Sequence, residues 1–235
     1  MMHKKMATMM AVGAIALGVG LSAGPVSAAP TTTVARDLTA EKARCTTMID
    51  VRLAELTKLD GALTAATRVT PEHRTVQTSS NTTAAAGLGA LKTKIAADND
   101  QATLADDCKA IVDGYRVFAL RAPQTHLIIG GDAETAAIAA LNQAVPKLST
   151  AIDQAAAAGK DVTAAKAALA DLRGKLADAT GKVGGLSDAV IVMTPAQYNA
   201  NHGLLDGARG SIKAGAADLK AARADIKTIT STVKA

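Results

Sequence analysis

The chain has 235 residues, a formal net charge of +5, no Trp, and only Tyr115, Phe118 and Tyr198 as aromatic residues. So few flat rings and so mild a charge argue against a nucleic-acid partner and against binding by base or sugar stacking. The length suits one domain or two small ones, each able to bury a core.

At the N-terminus, MMHKKMATMMAVGAIALGVGLSAGPVSAAP sets His3, Lys4 and Lys5 ahead of an apolar run that ends in Val26-Ser27-Ala28 before Ala29. A basic start, an apolar middle and a small-x-small site make a secretory signal peptide, with cleavage expected after Ala28. An uncleaved anchor is the competing reading, weakened by the Gly and Ala that dilute the run. No cysteine stands at the cleavage site, and the C-terminal TITSTVKA has no hydrophobic tail or sorting motif. The mature chain is therefore expected to be extracellular or associated with the cell envelope, free or held non-covalently. Loss of Lys4 and Lys5 lowers its net charge to +3. Residues 29–37 read as a disordered lead.

From residue 38 onward, apolar residues recur at steps of three and four, the helical period. The first seam runs Cys45, Ile49, Leu56, Leu59, Leu63, Ala66, interrupted by Arg52, and stops at Val69-Thr70-Pro71. Thr70 is a cap and Pro71 a first-turn residue for the next helix. That helix carries Ala84, Leu88, Leu91 and Ile95 up to Asp98-Asn99-Asp100, and a third carries Leu104, Cys108, Ile111, Tyr115 and Phe118 until Pro123 stops it. These three predict a bundle over 38–122.

The second half, 124–234, predicts an antiparallel coil of longer helices. One carries Ile138, Leu141, Val145, Leu148 and Ile152, bent or restarted at Pro146 and ended by Gly159. Asp161 caps the next, whose seam from Val162 to Val190 keeps heptad spacing. Thr194-Pro195 starts the last, lined by Leu205, Ala208, Ile212, Leu219, Ala222, Ile226, Ile229 and Val233. At about 1.5 Å per residue these two helices would be roughly 45 and 60 Å long. The expected fold is all-α, an elongated antiparallel helical bundle or coiled coil of about six long helices. Gly130-Gly131 and Gly184-Gly185 read as turns or kinks.

Two cysteines in an exported chain predict one disulfide, Cys45–Cys108. Both sit on an apolar seam near the start of a helix, and in an up-down-up bundle those helices start at the same end. The absence of Cys-x-x-Cys favours a structural bond over redox chemistry. His73, His126 and His202 lack metal-ligand spacing, so no metal site and no cofactor are expected. His202 with Asp206 reads as a solvated pair. Asp106-Asp107 points to different sides of a helix, and no nucleophile elbow or glycine-rich phosphate loop is present, so an enzyme is not expected. Two features stand out as interaction surfaces. In the last helix Arg209, Lys213, Lys220, Arg223 and Lys227 fall within an arc of about 80°, a basic stripe suited to anionic polymer or lipid headgroups and equally readable as a solvated flank. Tyr115, Arg116, Phe118, Arg121 and His126 could line a partner groove, although Tyr115 and Phe118 also fit a core beside the cysteines.

The stretches RCTTMIDVRLAEL (44–56) and GLGALKTKIAADNDQATLADDCKAIVDGYRVFALRAPQTHL (87–127) resemble uncharacterised secreted helical-bundle proteins of actinobacteria. The resemblance covers residues 38–132, with Cys45, Cys108 and Tyr115-Arg116-Val117-Phe118 as its matching positions. It implies an envelope or extracellular location and a helical bundle, and carries no activity. The expected function is thus a non-catalytic secreted or envelope interaction protein whose partner is an envelope polymer, an anionic lipid or another protein, with self-association through spare seam surface as one form. A lipid- or amphiphile-binding protein using the basic last helix is the alternative.

Overall fold

The computed structural model describes residues 37–234, and the expected signal peptide with residues 29–36 of the lead lies outside the described residues. The described chain is all-α: α1 Leu38–Ala65, α2 Pro71–Ala97, α3 Gln101–Asp113, α4 Ala122–Ala157, α5 Thr163–Val183, α6 Leu186–Ile191, α7 Pro195–Ala200 and α8 Asp206–Lys234. Its helix starts follow local chemistry. Asp37, assigned above to the lead, accepts the Thr39 N–H and caps α1. Thr70 caps α2 ahead of Pro71, Asp100 accepts the Ala102 and Thr103 N–H groups at α3, and Thr194 with Gln197 forms a capping box at α7. Asp161 accepts the Thr163 N–H at 2.9 Å, and Gly159 ends α4 at φ +81°.

α1, α2 and α3 run up, down and up. Their apolar cluster holds Ile49, Leu56, Leu59, Leu88, Ile95, Leu104 and Ile111, with Cys45 and Cys108 joined within it at a Cα–Cα distance of 5.6 Å. α4, α5 and α8 form a second up-down-up set, in which Lys182 of α5 pairs with Asp218 of α8 and Lys160 reaches the Val233 carbonyl at 3.0 Å. Its cluster includes Ile138, Ile152, Leu169, Leu172, Leu176, Leu219 and Ile229. A third cluster lies between the other two: Leu63, Val69, Leu120, Leu127, Ile128, Leu186, Val190 and Leu205. It draws on the end of α1, the start of α4, α6 and the approach to α8.

Four boundaries differ from the sequence reading, each for a local reason. α3 stops at Asp113, not before Pro123; Gly114 and the left-handed Arg116 (φ +46°) break it, and a π-helical turn, Val117–Arg121, leads straight into α4. Pro123 occupies the first turn of α4, directly after the π-helical turn. The seam through Val190 belongs to two helices, because Gly184-Gly185 interrupts it with Gly185 at φ +69°. The last helix is likewise two, α7 and α8, separated by residues 201–205. At about 1.5 Å per residue, α5 and α8 are therefore roughly 32 and 44 Å long, shorter than expected.

Two glycine and proline readings also change. α4 runs through Pro146 without restarting. Gly130 and Gly131 lie inside α4 and make room for neighbours: a Cβ on Gly131 would stand 2.8 Å from Ser187 Oγ and 3.2 Å from Leu186 Cδ2.

Candidate functional site

All five cations of the predicted stripe are exposed on α8. The helix places its buried residues, Gly215, Leu219, Ala222 and Ile229, against α4 and α5, and the stripe takes the flank beside α4. Arg209 is bonded to Asp206 at 2.9 Å. Lys213, Lys220, Arg223 and Lys227 have no ion-pair partner among the described residues. On the opposite flank Asp218 is paired with Lys182, and Asp225 lies beside Asp171 and Lys175 of α5 with its Oδ2 buried and without a hydrogen-bond partner. Burial, with repulsion from Asp171, raises the Asp225 carboxyl above the usual range. The bordering stretch of α4 from Ala133 to Ile152 carries Glu134 and Lys147 as its charged residues. Glu134 Oε2 is buried without a hydrogen-bond partner, tight against the position a Gly215 Cβ would fill, and this burial raises its pKa. The α8 flank is thus a row of cations with little compensating negative charge.

The residues of the second predicted surface separate. Tyr115 packs into the first bundle, its hydroxyl 2.6 Å from where a Gly87 Cβ would stand, so the core reading holds for it. Phe118 does not follow: it is 47% exposed, with the Arg52 guanidinium 5.3 Å from its ring centroid. Arg116 shares a small hollow with Phe118 and Arg52, but its charge is met by Asp113 at 2.8 Å and it lies over the Tyr198 ring. Arg121 turns to Ser80 on α2, and His126 is exposed on α4. Arg116 and Phe118 are brought together; Tyr115, Arg121 and His126 face elsewhere.

Other sequence pairings resolve similarly. Asp206 takes Arg209 and not His202, whose ring lies tilted against that of Tyr198 at 5.2 Å. Asp107 pairs with Lys94 across helices at 2.7 Å while Asp106 is exposed. Glu41 lies beside Cys45 and Cys108 at metal-ligand distances, but both sulfurs are spent on the disulfide.

A polar ladder at the junction went unnoticed in the sequence. Gln77 donates to Asn81 and Thr125, and Asn81 donates to Asp60 at 2.7 Å. Gln124 donates to the Val190 and Met193 carbonyls at 2.6 and 3.0 Å. Arg74 spends its guanidinium on the Leu63, Ala66 and Val69 carbonyls at the end of α1. His73 lies between Asp132 of α4 and Asp188 of α6. The available signal was the α2 seam itself: extended back from Ala84 at the same steps, it lands on Asn81, Gln77 and His73.

A cleft of about 350 Å³ lies where α5, α6 and α8 meet and is walled by Leu186, Val190, Met193, Leu204 and Ala208. Its one cationic lining residue, Lys182, is committed to Asp218. Among the described residues no helix is long and apolar enough to cross a membrane. Comparison with protein-family models, with curated proteins and with solved structures found no match to this chain.

Proposed function

We propose that the chain is a non-catalytic, exported interaction protein that docks through the α8 flank onto a linear anionic polymer of the cell envelope, with the α4–α5–α8 coil as its rigid support. One observation carries this reading: Lys213, Lys220, Arg223 and Lys227 are exposed in a row and lack ion-pair partners among the described residues. The remaining supports are the resemblance to secreted actinobacterial proteins over residues 38–132 and the disulfide, which suits an oxidising compartment.

The same helix argues for a polymer over a bilayer. Insertion between lipids needs a free apolar face, whereas Leu219, Ala222 and Ile229 are buried in the coil. What α8 offers is charge alone, along a narrow line. Each exposed cation near a strongly anionic surface contributes about 1 kcal/mol, lost as salt rises.

Retention on immobilised poly(glycerol phosphate) at low salt, against phosphatidylglycerol vesicles as the competing probe, tests the proposal. The expected result is salt-sensitive retention that disappears when Arg209, Lys213, Lys220, Arg223 and Lys227 are all changed to Gln, with helicity unchanged. Equal retention of that variant overturns it, and binding to vesicles alone transfers support to the lipid reading.

A further inference from the structure

His73 projects from the first turn of α2 with a carboxylate at each ring nitrogen. Nδ1 lies 2.9 Å from Asp132 Oδ2 of α4, and Nε2 lies 3.0 Å from Asp188 Oδ1 of α6. Asp132 also accepts the Thr70 backbone N–H at 2.9 Å. A neutral imidazole has one N–H and satisfies one of these carboxylates; its other nitrogen then presents a lone pair to an anion. Only the imidazolium donates to both. We propose that His73, Asp132 and Asp188 form a proton-operated latch that fastens α6, and with it one wall of the 350 Å³ cleft, to α2 and α4.

The two arms are unequal. The Asp132 side chain is 5% exposed and held twice, whereas Asp188 is 76% exposed and has His73 as its hydrogen-bond partner. Loss of a proton therefore keeps the Nδ1–H on Asp132 and releases Asp188. α6 has only six residues and follows the left-handed Gly185; its other ties are Leu186 and Val190 in the junction cluster, the Ser187 hydroxyl donating to the Ile128 carbonyl, and Gln124 on the Val190 carbonyl. Asp132 faces the ring from α4 and Asp188 from α6. On α2 itself Glu72 is exposed and Arg74 is turned to the α1 carbonyls, and Arg68 in the preceding turn is exposed.

Burial of the ring pulls its pKa down, but the hydrogen bonds and charges of Asp188 and Asp132 outweigh burial and raise it above the ordinary value of 6.5. A histidine raised in the folded state contributes its stability in full below the unfolded value and loses it as pH climbs through the folded one. The latch is closed in acid and opens toward alkaline pH.

Amide hydrogen exchange of Leu186–Ile191 in the full chain, corrected for the intrinsic pH dependence, tests this at about pH 6 and pH 8.5, on either side of the histidine range. The native chain should lose α6 protection severalfold on going to the higher pH. Asp188→Asn, a change at an exposed carboxylate, should show the low protection at both pH values, and His73→Gln the same. Native α6 protection that ignores pH, or an unchanged pH response in Asp188→Asn, overturns the latch.

Discussion

Two glycines of α8 sit in opposite surroundings. Gly210 is exposed, and a Cβ there meets nothing within 4 Å. Gly215 is buried at the crossing with α4 and α5, where a Cβ would fall 2.8 Å from Val183 Cγ1 and closer still to Glu134 Oε2. Alanine in a helix interior ordinarily gains about 0.5–1 kcal/mol over glycine. Gly210→Ala is expected to raise the unfolding free energy by roughly that amount, while Gly215→Ala lowers it by about 1–3 kcal/mol through overpacking. Thermal or urea unfolding of the two variants side by side reads the difference, and a gain at both sites would show that α8 is not held close. The helical periodicity places both residues on α8, but only the neighbouring helices decide which of them has room.

Among the helix ends, α1 has the most unusual one. Its last-turn carbonyls, which no intrahelical N–H can reach, are taken by the Arg74 guanidinium from α2. Arg74→Gln should therefore fray the last turn of α1 and cost about 1–3 kcal/mol, the penalty for buried acceptors left without a donor. Hydrogen exchange in residues 60–66 checks it; unchanged protection there would mean that water serves as well as the arginine. This bond was not legible in the sequence, because a lone Arg on a helix gives no sign of which carbonyls it will meet. Helix type, the caps at Thr70 and Thr194, and the core positions were legible, since each follows from spacing or from a local hydrogen bond, while Asp161 stands one residue ahead of the N-cap Val162 and reaches only the Thr163 N–H. The turn at 184–185 was legible in its glycine pair even though the hydrophobic period continues across it, whereas the break at 201–205 was not, because Thr194-Pro195 reads as the start of one uninterrupted helix. For the α8 stripe, the angular arithmetic was sufficient to place all five cations together. For the Tyr115–His126 group it was not, because the π-helical turn shifts the register and sends Phe118 outward while Tyr115 goes in.

Over the whole molecule, the three apolar clusters set how the fold gives way. The α4–α5–α8 cluster contains no residue of α1, α2 or α3. Opening the Cys45–Cys108 bond, which spans a sequence separation of 63, removes about 4 kcal/mol of chain-entropy stabilisation. Cys45→Ser should accordingly loosen α1–α3 while the helicity of α4, α5 and α8 survives, observed as partial loss of ellipticity at a lower urea concentration than the rest. A single transition for the entire chain would mean that the junction cluster, and the polar ladder beside it, couples the two sets into one cooperative unit.

The position of that bond has one more consequence. Cys45 lies in the early turns of α1, at the end of the first bundle remote from Leu63, Val69 and the Arg74 contacts. That end is itself well fastened, by Ile49, Ile95 and Leu104 in the core and by the Lys92–Asp50 and Lys94–Asp107 pairs between helices. A reduced chain therefore keeps at that end the apolar contacts and ion pairs that hold the two sulfurs level, so that oxidation seals an arrangement the surrounding side chains already favour.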